Sequence, residues 1–306
     1  MSTNDQTIKC SADGMALLIL LIKNALLTMV TLGIYSFWGQ VEVQKYLYNN
    51  LPFQGKSFDY TATGTERFLA FLKVMGGFLA VVIVVAILAK LAPILGVIAM
   101  LCLYLGFFLA FPIIMFTAQR YALSRTTLNN LSFALEGDPK EFAIMSYKYI
   151  FLSAVTLGIM TPWLVVNQRK YMYSKMRYGN VRFEFTGDPQ ELLMMIIIGY
   201  LLTMVTLGIY SVWFMENLEE YFFNNTKING VACTYKKDPI ERLKVTILSV
   251  MLIIFTGGLA SPWAILMILN YTLEHFHYPK QLDFSQIYGA PGQGDAGADA
   301  LFDALT

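Results

Sequence analysis

Seven polar side chains in this sequence stand where a membrane would make them chemically active. Lys45, Arg120, Lys170, Glu220 and Asn270 each immediately precede a tyrosine, at one shared offset in five similar segments. Lys23 and Lys148 each follow an aspartate by ten residues, inside an apolar run where later segments carry Ile198 and Leu248. Intramembrane ionisable groups are functional candidates by default. If the five segments surround an axis, the first set forms a mostly basic layer suited to anion passage or headgroup binding. The competing reading is that these side chains snorkel to the interface beside acidic headgroups. Lys23 and Lys148 read either as snorkelling structural lysines or as ion-pairing or transport lysines.

Signatures of catalysis are missing from the chain. His275 and His277 in "LEHFHYP" would point to different faces of a helix, and Glu219 and Glu220 are adjacent and diverge. No Walker-type GxxxxGK[ST], HExxH or specific Ser-His-Asp grouping is present. Cys10, Cys102 and Cys233 have neither metal-ligand spacing nor an even-numbered pattern, which argues against a disulfide framework. The expectation is a protein that is not an enzyme, with no metal and no cofactor. A net charge of +1 gives no global field for nucleic acid.

The elements that must position these residues are apolar. Of the 306 residues, 56% are hydrophobic and 14% charged, with a mean hydropathy of +0.53. Soluble domains carry about 25% charged residues. Residues 68–89 and 94–118 each exceed the roughly 20 apolar residues that cross a bilayer. Met1 to Asp13 is polar and does not read as a cleavable signal, so residues 15–32 are expected to be a retained first membrane helix.

One phrase recurs: "TLGIYSFW" at Thr31, "TLGIMTPW" at Thr156, "TLGIYSVW" at Thr206 and "TGGLASPW" at Thr256. Eighteen residues before these threonines stand Asp13, Asp138, Asp188 and Asp238. Eight residues after Trp38, Trp163, Trp213 and Trp263 stand Tyr46, Tyr171, Tyr221 and Tyr271. Tyr121 joins this register if Ile113 takes the tryptophan's place, giving a fifth, longer unit without the phrase. Polar residues, glycines and prolines agreeing at fixed offsets mark a true internal repeat.

Each unit reads as strand, turn, apolar helix, tight corner, second helix and turn. Asp188 caps the helix, Pro189 opens it and Glu191 completes a capping box. Gly33, Gly158 and Gly208 end the first helices at the corner, and Asn229-Gly230 turns into the next strand. Trp38 and its counterparts suit the membrane interface. The fold class expected is therefore an all-α integral membrane protein. It has five helical hairpins, about ten helices with some re-entrant, linked by short cytoplasmic β-strands. The boundaries are 1–13 for an N-terminal strand and about 14–62, 63–137, 138–187, 188–237 and 238–284 for the repeats. Residues 285–306, rich in Gly, Ala and Asp, read as a flexible cytoplasmic tail.

Lys and Arg avoid the corners, Lys90 excepted, which places the strands and both termini in the cytoplasm. The second helices turn polar within a few residues of the tryptophan, as at Glu42 and Asn167. They therefore face a polar interior, or the shorter hairpins fail to span.

The stretch "TLGIYSFWGQVEVQKYLYNNLPFQGKSFDYTATG" resembles the YjgN-like family of bacterial inner-membrane proteins, a domain of unknown function. The corner residues, Lys45-Tyr46, Gly55 and Phe58/Tyr60 carry the likeness, and "TLGIYSVW" with "NGVACTYKKDP" repeats it. The resemblance implies the inner membrane and brings no reaction or binding residues. Glu216, Glu219 and Glu220 depart from a basic pattern in the fourth unit. The leading functional reading is transport or conduction along a polar path lined by the second helices, for an unspecified solute. The alternative is a non-transporting scaffold or lipid-binding protein presenting a strand platform. Membrane lipids are the expected partners, self-association into a homo-oligomer is left open, and no soluble partner is identified.

Overall fold

The structure is a computed structural model and describes residues 8–279 and Ile287. The proposed tail beyond residue 285 lies outside the described residues, Ile287 apart. Among the described residues, ten helices are joined in five tight pairs: α1 (Gly14–Val30) with α2 (Ser36–Asn49), α3 (Gly64–Leu91) with α4 (Pro93–Ser124), and α5 (Pro139–Val155) with α6 (Thr161–Lys175). Then come α7 (Pro189–Val205) with α8 (Ser211–Asn224) and α9 (Pro239–Phe255) with α10 (Ser261–His275). Asp13, Asp138, Asp188 and Asp238 are N-caps whose carboxylates accept first-turn N–H groups, and Pro follows the last three. The capping box expected at Glu191 is instead made by Thr63 and Glu66 at α3, while Asp188 bonds Gln190 N–H.

The strands are more than linkers. They are β1 (Pro52–Phe53), β2 (Lys56–Tyr60), β3 (Thr126–Leu128), β4 (Leu131–Leu135), β5 (Met176–Tyr178), β6 (Val181–Phe185), β7 (Thr226–Ile228) and β8 (Val231–Ala232), followed by β9 (Thr234–Tyr235) and β10 (Phe276–His277). The first eight form one antiparallel sheet in sequence order, and β9 pairs with β10. The all-α expectation is corrected here: the fold is mostly helical but carries a sizeable antiparallel sheet. Its physical source is visible in the turns. Gln54-Gly55, Asn129-Asn130 and Asn229-Gly230 all take positive φ, the backbone of two-residue hairpins. Each hairpin joins the end of one helix pair to the start of the next, and β2–β3, β4–β5 and β6–β7 then tie across the pairs. Residues 8–13 are not in a strand.

The helix pairs close into a cycle. α2 packs on α3, α4 on α5, α6 on α7 and α8 on α9, and α10 returns to α1. At the sheet, a single apolar core draws Phe53, Phe133, Tyr178, Ile228 and Phe276 from the five successive segments. Phe133 stacks on Tyr178 at 4.6 Å between ring centroids.

Helix lengths divide the pairs into two kinds. α3 and α4, at 28 and 32 residues, are long and apolar enough to cross a membrane, and the most apolar stretch of α3 has no buried residue. The other first helices have 17 residues, or ~25 Å of rise, short of the ~30 Å of hydrocarbon. Pro112, the residue before Ile113, is buried inside α4, and the corner of this pair is at Ala92.

Candidate functional site

The recurrent phrase builds a corner with the same bonds each time. The hydroxyls of Thr31, Thr206 and Thr256 donate to the carbonyl four residues back and accept the N–H four residues on, at 2.9 Å for Tyr35, Tyr210 and Ala260. Thr156 does the same with Met160 at 3.2 Å. The next two residues turn left-handed: Leu32, Leu157 and Leu207 have φ near +50°, and Gly33, Gly158 and Gly208 near +95°. Leu32, Leu157 and Leu207 are 95%, 96% and 94% exposed, so all three corners present a bare leucine.

Trp38 and Trp263 pack against the neighbouring helix pair. Trp38 lies against Gly64 and Phe68, and Trp263 against Gly14, the first residues of the following pair's helix. A Cβ on Gly64 would sit 2.4 Å from the indole of Trp38, so only glycine fits. Trp213 stacks with Tyr210 at 6.3 Å, and Trp163 supplies the carbonyl that Asn167 bonds.

The repeat tyrosines clamp each pair's foot. Tyr46, Tyr171, Tyr221 and Tyr271 donate to the backbone carbonyls of Asp13, Asp138, Asp188 and Asp238 at 2.8–3.0 Å. Tyr121 donates to Glu66 at 2.8 Å in the long pair. The second helix is thereby tied to the cap of its own first helix in all five pairs. Sequence spacing had singled out these tyrosines as a register, but not as the bond that sets it.

The five polar residues before them are not gathered into one cluster. Arg120 bonds the carbonyls of Leu135 and Gly137, Glu220 pairs with Lys237 at 2.6 Å, and Asn270 Oδ1 accepts from Cys10 N–H at 2.7 Å. In each case the partner lies in the linker that leads into the following pair. Lys170 lines an open groove with Asn167, Ser174, Glu184 and Thr186, bordering the next linker in the same way. Lys45 is half-buried on α2. Lys23 pairs with Glu42 at 2.7 Å, and Glu42 also accepts from Tyr35 at 3.0 Å. Lys148 is exposed, its ammonium 5.4 Å from the ring of Tyr149. Thus Glu42, an unexplained early charge in the sequence, neutralises Lys23.

Glu216 is the group that sequence reading noticed without weighing. Its side chain is fully buried between α8, α9 and β9. Tyr235 donates to it at 3.1 Å, and Arg242 approaches at 3.4 Å. Arg242 is held mainly by Glu219, through two bonds of 2.9 and 3.0 Å. Away from the helices, burial pushes the Tyr178 hydroxyl up to about 12 and the Cys233 thiol up to about 11. Tyr178 donates to Leu128 O at 2.7 Å and acts as a core tie.

Comparison with known proteins adds a family. The family described as bacterial protein of unknown function (DUF898) matches residues 6–185 and 180–245. Inner membrane protein YjgN of Escherichia coli K12 is 30% identical over 138 residues, covering 45% of this chain and 33% of the relative. Its namesake in Salmonella typhimurium LT2 is 29% identical over 136 residues, covering 44% and 32%. The match thus spans about a third of the length of these curated relatives. No solved structure matches. With the family match running over most of its length, the chain belongs to the DUF898 family of bacterial proteins of unknown function.

Proposed function

We propose that this protein is a membrane-embedded scaffold that does not conduct solute. Five helical hairpins sit in the bacterial inner membrane and hold a cytoplasmic strand platform. The carrying observation is the single apolar core at the sheet, to which the strand segment after every helix pair contributes. Among the described residues, apolar and aromatic side chains fill the middle of the platform. Three of the polar residues that would have lined a polar path, Arg120, Glu220 and Asn270, bind neighbouring linkers and read as braces between hairpins. These three differ because each matches a different partner: two carbonyls for Arg120, Lys237 for Glu220 and a backbone N–H for Asn270.

Membrane embedding is supported by the exposed apolar faces of the first helices and by the bare leucines at the corners. In water these would be a large aggregation surface. The long pair α3–α4 spans, with Lys90 near its turn at the far interface. The four shorter pairs insert without crossing, so their corners remain in hydrocarbon, and Lys23 enters as a pair with Glu42. The names of the relatives agree with an inner-membrane address, and lipids are the partners this surface fits.

Transport keeps one specific support, the open groove holding Lys170. Ion and small-anion flux into liposomes carrying the purified protein decides between the readings. The scaffold predicts flux no greater than in protein-free vesicles. Protein-dependent flux that falls in Lys170→Ala or Arg120→Ala would restore the polar path.

A further inference from the structure

The contacts between each second helix and the next first helix can be compared position by position. Three residues after each corner tryptophan, or after Ile113, stand Val41, Phe116, Val166, Glu216 and Leu266, all buried. Four residues after the next helix cap stand Arg67, Phe142, Leu192, Arg242 and Leu17. Three of these junctions are apolar. Phe116 meets Phe142 at 5.2 Å between rings, Val166 shares a core with Leu192, and Leu266 shares one with Leu17. In the first junction Val41 is apolar, and Arg67 is satisfied by the neutral Gln44 and Tyr60 at 2.6 and 2.7 Å. Only the α8–α9 junction buries a carboxyl group at this position.

Charge counting at that junction leaves Glu216 in surplus. Glu219 takes the guanidinium of Arg242 in a two-point contact, which already neutralises it. Glu216 Oε1 is left with the 3.4 Å edge of Arg242 and the Tyr235 hydroxyl, whose one proton it shares with Glu219 at 2.8 Å. Glu216 Oε2 is fully buried and has no hydrogen-bond partner. The ionisable groups facing Glu216 are Glu219 on its own helix, Arg242 on α9, Tyr235 on β9 and Tyr271 on α10. Tyr271 donates its proton to Asp238 O at 2.8 Å and accepts Asp238 N–H at 3.3 Å, so its hydroxyl is engaged by the α9 cap. A buried carboxylate with one bare oxygen and no uncommitted cation is expensive. The same group with a proton on Oε2 is neutral, which removes the cost of burying an uncompensated charge.

We propose that Glu216 is a proton-binding site: it carries a proton on Oε2 while the α8–α9 junction is closed, and releases it only when that junction opens. A metal cation is disfavoured there by Arg242. The site makes this junction pH-sensitive, whereas the other four hold without a buried carboxyl. Glu216 binds its proton in the same way whether the protein scaffolds or transports.

Linkage sets the sign of the effect. A carboxyl whose affinity for protons rises on folding stabilises fully below its unfolded pKa near ~4.3. That stabilisation is lost as pH rises toward the folded value, with the folding equilibrium constant falling up to tenfold per pH unit. The test is thermal unfolding of the full chain in detergent across pH, for wild type and Glu216→Gln, which mimics the neutral acid. Stability of wild type relative to Glu216→Gln should fall as pH rises. Infrared spectra of wild type should contain a protonated-carboxyl band that the variant lacks. Should Glu216→Gln not fold, Glu216→Leu, which installs the residue found at the equivalent position 266, serves both measurements. A pH-independent difference between wild type and variant, or no band lost, overturns the proposal. So does stabilisation of wild type by sodium, potassium or calcium that disappears with Glu216.

Discussion

At the scale of single residues, the recurring tyrosine does more than the recurring tryptophan to define a unit. Tyr171 accepts Asp138 N–H at 3.1 Å and shares its one proton between Asp138 O at 3.0 Å and Glu141 Oε2 at 2.9 Å, so its hydroxyl closes the foot of the α5–α6 pair. Tyr171→Phe keeps the ring against Phe116 and Phe142 and removes only that oxygen. The expected loss is ~1 kcal/mol, the net worth of a partly exposed hydrogen bond. Denaturant midpoints in detergent would register it, and an unchanged midpoint would mean the clamp contributes nothing. The polar neighbours are different in kind. Arg120, Glu220 and Asn270 solve three separate linker problems with three different chemistries, which explains why these neighbours differ while the tyrosines agree.

At the scale of elements, the corner and the approach of successive helices set tighter limits than apolar composition does. Gly64 opens α3 directly under Trp38, with the indole 2.4 Å and the Trp38 Cα 2.7 Å from where a Cβ would stand. Because one of those neighbours is backbone, the clash cannot be relieved by rotating a side chain. Gly64→Ala should cost ~1–3 kcal/mol through overpacking. At Gly76, within the same helix, an added methyl would meet nothing within 4 Å, and Gly76→Ala should gain ~0.5–1 kcal/mol. Opposite signs of the shift in melting temperature would bear out the close approach; equal shifts would refute it. The aspartate caps were legible in sequence because capping is local. The Trp38–Gly64 contact was not, because it joins two units across a strand hairpin.

At the scale of the whole molecule, closure and immersion are the two decisions. α10 reaches α1, and Asn270 accepts from Cys10, so the last pair is fastened to the first. If the short pairs insert without crossing, a label at Leu207→Cys should be quenched by lipids brominated on their acyl chains. It should also resist water-soluble thiol reagents from both sides of the membrane. Ready labelling of that corner from the outer side would show that the short hairpins span after all. Such labelling is read in a background in which Cys10, Cys102 and Cys233 are replaced, because Cys102 is exposed.

The sequence by itself determined the period, the caps, the corners and the two long apolar spans. Each is written in residues a few positions apart, where hydrogen bonds and backbone preferences act. It also determined, through "TLGIYSFW" and its relatives, that four corners would be alike. Only the tertiary structure decided that the strands knit into a sheet with one shared core. It alone decided that Arg120, Glu220 and Asn270 brace neighbours and that Glu216 is shut away with an unpaired oxygen. Those outcomes depend on which distant surfaces meet. Side-chain charge is neutral to that choice until burial removes the water that would otherwise satisfy it.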